Sequence, residues 1–180
     1  RPADPFKPYG ATPGHGIEWS RLITQWALSA AEKGETDVSK YIDASERLFL
    51  RAVTDAWNAD GAPGLVYTTD WTGKPVVHDR MHWVLAEAIN TAATLYRVTG
   101  KPEYADDYAQ FMKYLDEKVV DHVNGSWFHQ MDRENHVIGT VWPGKNDLYH
   151  AFQATLIPYC QGGISIACAV KEKRFAAPQA

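Results

Sequence analysis

The stretch PGHGIEW, residues 13–19, sets an imidazole, His15, and a carboxylate, Glu18, three residues apart where an amphipathic run begins. On a helix that is one turn, so the two side chains share a face. Histidine ionises near neutrality, with an unperturbed pKa of about 6.5, and a nearby carboxylate can hold the ring in one tautomer or stabilise its charged form. The pairing suits general acid–base work, where a positioned proton carrier contributes about 10²–10⁴-fold. It equally suits a plainer role, an acid complementing the positive end of a helix beside a helix-end histidine. His150, after Tyr149, reads on its own as a partly buried, hydrogen-bonded histidine.

Other chemistries are served less well. His78 and His82 in HDRMH stand four apart, a spacing that on a helix brings two imidazoles to one zinc ion, but the acid between them is not placed as in HExxH and no third ligand is evident. No metal is expected. Glu18 and Asp147 nominally supply the two carboxyl groups of a glycoside hydrolase, a scheme that leaves the histidines without a leading task. The sequence has no phosphate-cradling glycine loop, GxSxG elbow or Rossmann fingerprint, so no cofactor is expected.

The elements that must position these residues read as helices. Residues 15–32 place Ile17, Leu22, Trp26 and Ala30 near one stripe, and after Gly34 a second run from Asp37 carries Ile42, Ala44, Leu48, Phe49 and Val53 to Trp57. A long connection rich in glycine and aromatics follows, NADGAPGLVYTTDWTGKPVV. RMHWVLAEAINTAATLYRVTG then reads as a third helix closed by Gly100, and Pro102 opens a fourth. A second such connection, residues 122–145, leads to DLYHAFQATLI and a short apolar helix expected around residues 164–172. His15, His82 and His150 recur about 67 residues apart, each near the start of the first helix of a pair. The expected architecture is therefore all-α: helical hairpins in an array that can close into a toroid, first helices inside and second helices outside. Three hairpins make only an arc, whose open end needs further chain or a covering partner.

Composition narrows the partners. The 180 residues are 45% hydrophobic, enough for one core or part of a larger one, and the net charge of −4 comes with no basic stripe. Nucleic acid and membrane are not expected, since the longest small-apolar run, ISIACAV, is too short to span a bilayer. Two cysteines, Cys160 and Cys168, lack metal-ligand spacing and favour a reducing, cytoplasmic compartment. Seven Trp and nine Tyr, many of them in the connections, suit either loop packing or the grip of sugar rings, which offer apolar C–H faces and hydroxyl edges.

PGHGIEWSRLI, RMHWVLAEA and GKNDLYHAFQATLIP together resemble the C-terminal half of the N-acylglucosamine 2-epimerase superfamily, its aldose–ketose isomerase branch above all. The resemblance implies that residues 1–180 supply about three hairpins of a single (α/α)6 barrel. It implies a metal-independent isomerase of the mannose–fructose type, moving a proton through an enediol or enediolate. It places His15 and His150 as the proton carriers with Glu18 in support, Trp83 and Glu87 as sugar contacts from the third helix, and Trp142 and Asp147 at the pocket rim. The implied partners are a monosaccharide, the rest of the barrel, and in principle further copies of the chain. A 2-epimerase of the same superfamily shares the intermediate. A glycoside hydrolase on the same barrel and a sugar-binding module without turnover are the other readings. For Trp83 and Glu87 the plainer alternatives are core packing and a structural ion pair.

Overall fold

The computed structural model describes Asp4 and residues 7–161 and 165–176. Helices α1 (Pro13–Glu32) and α2 (Ser39–Ala56) form the first hairpin, and α3 (His82–Thr99) and α4 (Pro102–Tyr114) the second, with α4 running on into a π turn, Leu115–Val119. Helix α5 (Leu148–Leu156), a 3₁₀ turn and the short α6 (Ile166–Lys171) follow. The expected first residue of that last helix, Ile164, lies outside the described residues. Pro13 and Pro102 occupy first turns, where a missing N–H is not felt, and Gly100 closes α3 in the left-handed conformation at φ +67°.

Helix α3 is the centre of the arc: it packs against α1 on one side and α5 on the other, with α4 against it and α2 against α1. Its apolar residues Val84, Leu85, Ile89, Ala92 and Leu95 are buried, and they meet Ile17 of α1 and Phe49 and Ala52 of α2 in one core. The expected row of first helices is present in α1, α3 and α5, with α2 behind α1 and α4 behind α3. Among the described residues no helix is long and apolar enough to cross a membrane.

The stripe expected on α1 is displaced. Its buried face is Ile17, Ser20, Arg21, Thr24, Ala27 and Ala30, while Leu22 and Trp26 are exposed at 40% and 53%. Close helix–helix approach explains the small and polar residues: Ser20 Oγ donates to the Ser45 carbonyl of α2 at 2.7 Å, and Thr91 Oγ1 of α3 donates to the Ile17 carbonyl at 3.0 Å. On α2 the packed residues are Ser45, Phe49, Ala52 and Ala56, so Leu48 is likewise displaced outward.

The long connections are not plain loops. The first contains a two-stranded antiparallel ribbon, β1 (Thr68–Thr69) with β2 (Pro75–Val77), and β3 (Arg80–Met81) pairs with β4 (Gln130–Met131) to tie it to the second. Asp60, whose side chain is buried, clamps this junction: its carboxylate accepts from Arg80 Nη2 at 2.7 Å and bonds His78 Nδ1 at 2.7 Å, and Arg133 Nη2 donates to its backbone carbonyl. Helix α3 begins only at His82, so His78 and His82 never share a helix face, and the spacing weighed for zinc does not arise.

Burial works to raise the Asp60 carboxyl, but the bonds from Arg80 and His78 overcome it and hold the group well below the usual carboxylate range. A folded-state pKa below the unfolded one adds stability above the unfolded value and loses it as pH falls through the carboxylate range. Asp60→Asn should therefore be clearly less stable than the parent near pH ~7, with the gap shrinking towards pH ~3. Urea midpoints across that range measure it; a constant gap would place the loss in shape rather than charge.

Candidate active site

The starts of α1, α3 and α5 and the two connections surround a cavity of about 640 Å³ lined by His15, Glu18, Tyr67, Trp83, Trp142 and His150, among others. Its floor is the indole of Trp83. The His15 ring lies 5.1 Å from the Trp83 ring by centroids, the His150 ring 5.8 Å, and Tyr67 stands edge-on to it at 6.3 Å. Two imidazoles well over a hundred residues apart thus rest on a single indole. The glycine of PGH has its own reason: a Cβ on Gly14 would come within 2.7 Å of the Trp83 ring and 2.8 Å of Val84, so only glycine lets α1 come this close to α3.

His15 is exposed toward the cavity, and among the described residues no hydrogen bond links it to Glu18, although both line the same space. His150 is tied down firmly. Its Nδ1 lies 2.7 Å from Asp147 Oδ2, and since a carboxylate only accepts, that nitrogen carries the proton and leaves Nε2 for a substrate. Asp147 is also the N-cap of α5, its Oδ1 accepting the backbone N–H of Tyr149 at 2.9 Å and of His150 at 3.4 Å. Burial works to raise the Asp147 carboxyl, yet the bond from His150 and the neighbouring imidazoles hold it below its ordinary value.

Asp147 Oδ2 has a second neighbour that sequence reasoning assigned no part in the site: His82 Nε2, at 2.9 Å. The His82 ring is 4% exposed and stacks on His129 with centroids 4.1 Å apart, and His129 Nε2 accepts the Asp147 backbone N–H at 3.1 Å. Burial is the main force pushing both the His82 and the His129 imidazole below the usual histidine value, against the pull of Asp147. His82, Asp147 and His150 offer the one set of three donor atoms among the described residues that a metal could draw on, within 4.8 Å of one another. Both nitrogens aim at Oδ2 itself, however, which is the geometry of a hydrogen-bonded triad rather than of ligands around a common centre. Gln130, fully buried, holds the segment that carries Trp142: its Oε1 accepts from the N–H groups of Val141 and Trp142 while its Nε2 donates to Asp79 and Thr140.

The structure does not bring Glu87 into this cavity. Its carboxylate is fully buried between α1 and α3, paired with Arg21 Nε at 2.8 Å, the structural ion pair that was its plainer alternative. One turn of helix separates it from Trp83, and at that depth along α3 the facing residue of α1 is Arg21. His15, Glu18, Trp83, Trp142, Asp147 and His150 do line the cavity. No motif announced His129 or Gln130; their places follow from the β3–β4 ribbon, which local pattern does not reveal.

The model of the N-acylglucosamine 2-epimerase (GlcNAc 2-epimerase) family matches residues 1–154. The chain is 42% identical over 169 residues to a D-mannose isomerase of Pseudomonas cannabina pv. alisalensis, covering 94% of this chain and 41% of that protein. It is 41% identical over 170 residues to a D-mannose isomerase of Thermobifida fusca, covering 93% and 40%. The chain thus spans about two-fifths of the length of these relatives. Among solved structures, a D-mannose isomerase superposes with a TM-score of 0.75 at 26% identity, over 87% of this chain and 39% of that one. A cellobiose 2-epimerase from Bacillus thermoamylovorans B4167, at a TM-score of 0.58 and 15% identity over 69% of this chain and 31% of that one, shares the fold. These neighbours are (α/α)6 barrels, the architecture to which the row of α1, α3 and α5 corresponds. The chain belongs to the N-acylglucosamine 2-epimerase family.

Proposed function

We propose that the protein carrying this chain interconverts an aldose and its ketose, of the mannose–fructose type, by proton transfers between the sugar and His15 and His150 through an enediol or enediolate. One observation carries the reading: both imidazoles rest on one indole in one cavity. Moving a carbonyl between C1 and C2 requires a base to take the C–H proton next to it and an acid to protonate the carbonyl oxygen. A base then takes the proton of the other enediol hydroxyl, forming the new carbonyl, as an acid returns a proton to the neighbouring carbon. The two imidazoles share these tasks, near neutral pH, where such groups are most effective. Trp83 offers the apolar face of the ring a wall, Trp142 closes the rim, Glu18 supports His15, and Asp147 orients His150 rather than contacting the sugar.

The D-mannose isomerase relatives at 42% and 41% identity favour isomerisation over 2-epimerisation, which runs through the same intermediate. A hydrolase is disfavoured by Asp147, both of whose oxygens are engaged in bonds to backbone and imidazoles. The chain forms about three hairpins of a six-hairpin barrel, with further chain or a partner against its open face, where Trp19 and Trp26 are exposed. Two free thiols, Cys160 and Cys168, support a cytoplasmic setting.

The test is mannose in deuterated water with the complete protein, following ketose formation and deuterium at C1 or C2. Isomerisation with label is expected, and full activity should survive exhaustive chelation. An epimer as the main product would move the assignment within the family, free sugar released from a glycoside would favour hydrolysis, and activity lost to chelation and restored by zinc would overturn the metal-independent mechanism.

A further inference from the structure

Asp147 has one oxygen between two imidazoles, which raises the question of what the buried one is for. His82 contributes almost no surface to the cavity, being 4% exposed, and its ring is clamped by the stacked His129 and by Asp147. Its Nδ1 faces the His129 carbonyl at 3.1 Å and its Nε2 faces Asp147 Oδ2 at 2.9 Å. Both facing atoms only accept; the His129 carbonyl already takes the His82 backbone N–H at 3.1 Å, and the carboxylate is the stronger acceptor, since a bond to an ionised oxygen is worth about twice a neutral one, so Nε2 carries the proton. Oδ2 then accepts two N–H groups, from His82 and from His150.

We propose that His82 is a positioning residue for His150: by donating to Asp147 it divides one carboxylate between two rings and keeps His150 from being held as imidazolium. An imidazole alone with a carboxylate at 2.7 Å is drawn toward its charged form, which cannot act as a base. The second donor weakens that pull without letting Asp147 turn away. The groups that face His82 are His129 from the connection, Asp147 and His150 from the start of α5, and, across the cavity, His15 and Glu18 from α1. The role rests on the proposed proton transfer at His150, but the proton placement does not.

The experiment reads both levels. In the complete protein with ¹⁵N-labelled histidine, the His82 ring should show a protonated Nε2 across the pH range in which His150 titrates; a bare Nε2 overturns the inference without any variant. His82→Phe, which removes the donor and keeps a stackable ring, should raise the titration midpoint of His150 by about one pH unit. The limb of the kcat/KM profile that belongs to His150 should move the same way. His82→Gln, which keeps an N–H donor of similar reach, should return both towards the parent. A purely structural role predicts lower activity in both variants with the His150 midpoint unmoved, and that result also overturns the inference. Should His150→Ala remain an active isomerase, the catalytic reading falls while the ¹⁵N result still decides where the His82 proton sits.

Discussion

Alanine at His150 in the complete protein should lower kcat for aldose–ketose conversion by about 10²–10⁴-fold, the range a positioned acid or base supplies, with KM changed far less. The split follows from the site. Trp83, Tyr67 and Trp142 supply the apolar surface against which a sugar rests, and all three remain. What disappears is a nitrogen whose orientation is fixed by Asp147 at 2.7 Å and which sits 5.8 Å, ring to ring, from that same indole. An interaction made only in the transition state lowers kcat and kcat/KM together. Steady-state kinetics with mannose, alongside exchange of the substrate C–H with solvent deuterium, distinguishes loss of proton transfer from loss of binding. A variant within about tenfold of the parent in both would remove His150 from the chemistry.

The second large effect is on stability. Arg21 and Glu87, with side chains 4% and 0% exposed, form an ion pair that links α1 to α3. Arg21 is also bonded to Gln25 at 3.0 Å, but among the described residues Glu87 Oε1 has no hydrogen-bond partner, nor do the side-chain atoms of the buried Asn90 one turn on. Arg21→Met leaves a buried carboxylate without its cation, and breaking such a pair from one side typically destabilises by about 3–5 kcal/mol. Replacing both partners with apolar residues of similar volume, Arg21→Met with Glu87→Met, should recover most of that, because the desolvation of both charges is relieved together. Denaturant unfolding of the two variants reads the difference. Equal losses in single and double variants would mean that shape, rather than uncompensated charge, is what the pair contributes.

The resemblance to the family singled out His15, His150 and Trp83, three of the residues that line the cavity, while the repeat of His15, His82 and His150 at helix starts showed only that such starts gather at one end of a toroidal array. The fold class was legible from local pattern: Gly34, Gly100 and Pro102 punctuate amphipathic runs of helical period. What failed was the inference from apolarity to burial on α1. Leu22 and Trp26 face outward while Ser20 and Thr24 are buried, since a helix held tightly on two sides selects small side chains whose hydroxyls bond to backbone, Ser20 to the Ser45 carbonyl of α2 and Thr24 to the Ser20 carbonyl of its own helix. Glu87 misled in a related way, its spacing from Trp83 marking a shared helix but not the wall between them. The layer formed by His82, His129 and Gln130 depends on the pairing of Arg80 and Met81 with Met131 and Gln130 across some fifty residues, a long-range register that period and composition do not encode.

Asp147 caps α5 with one oxygen and steers an imidazole with the other. Helix α5 is nine residues long, too short to persist on propensity alone, so its first turn leans on that cap. Local fraying and catalytic disarray are then one event: warming that loosens a single turn misdirects His150 while the hydrophobic interior around α3 is still intact. On the proposed mechanism, heat would silence this enzyme reversibly, well short of the temperature at which the chain comes apart.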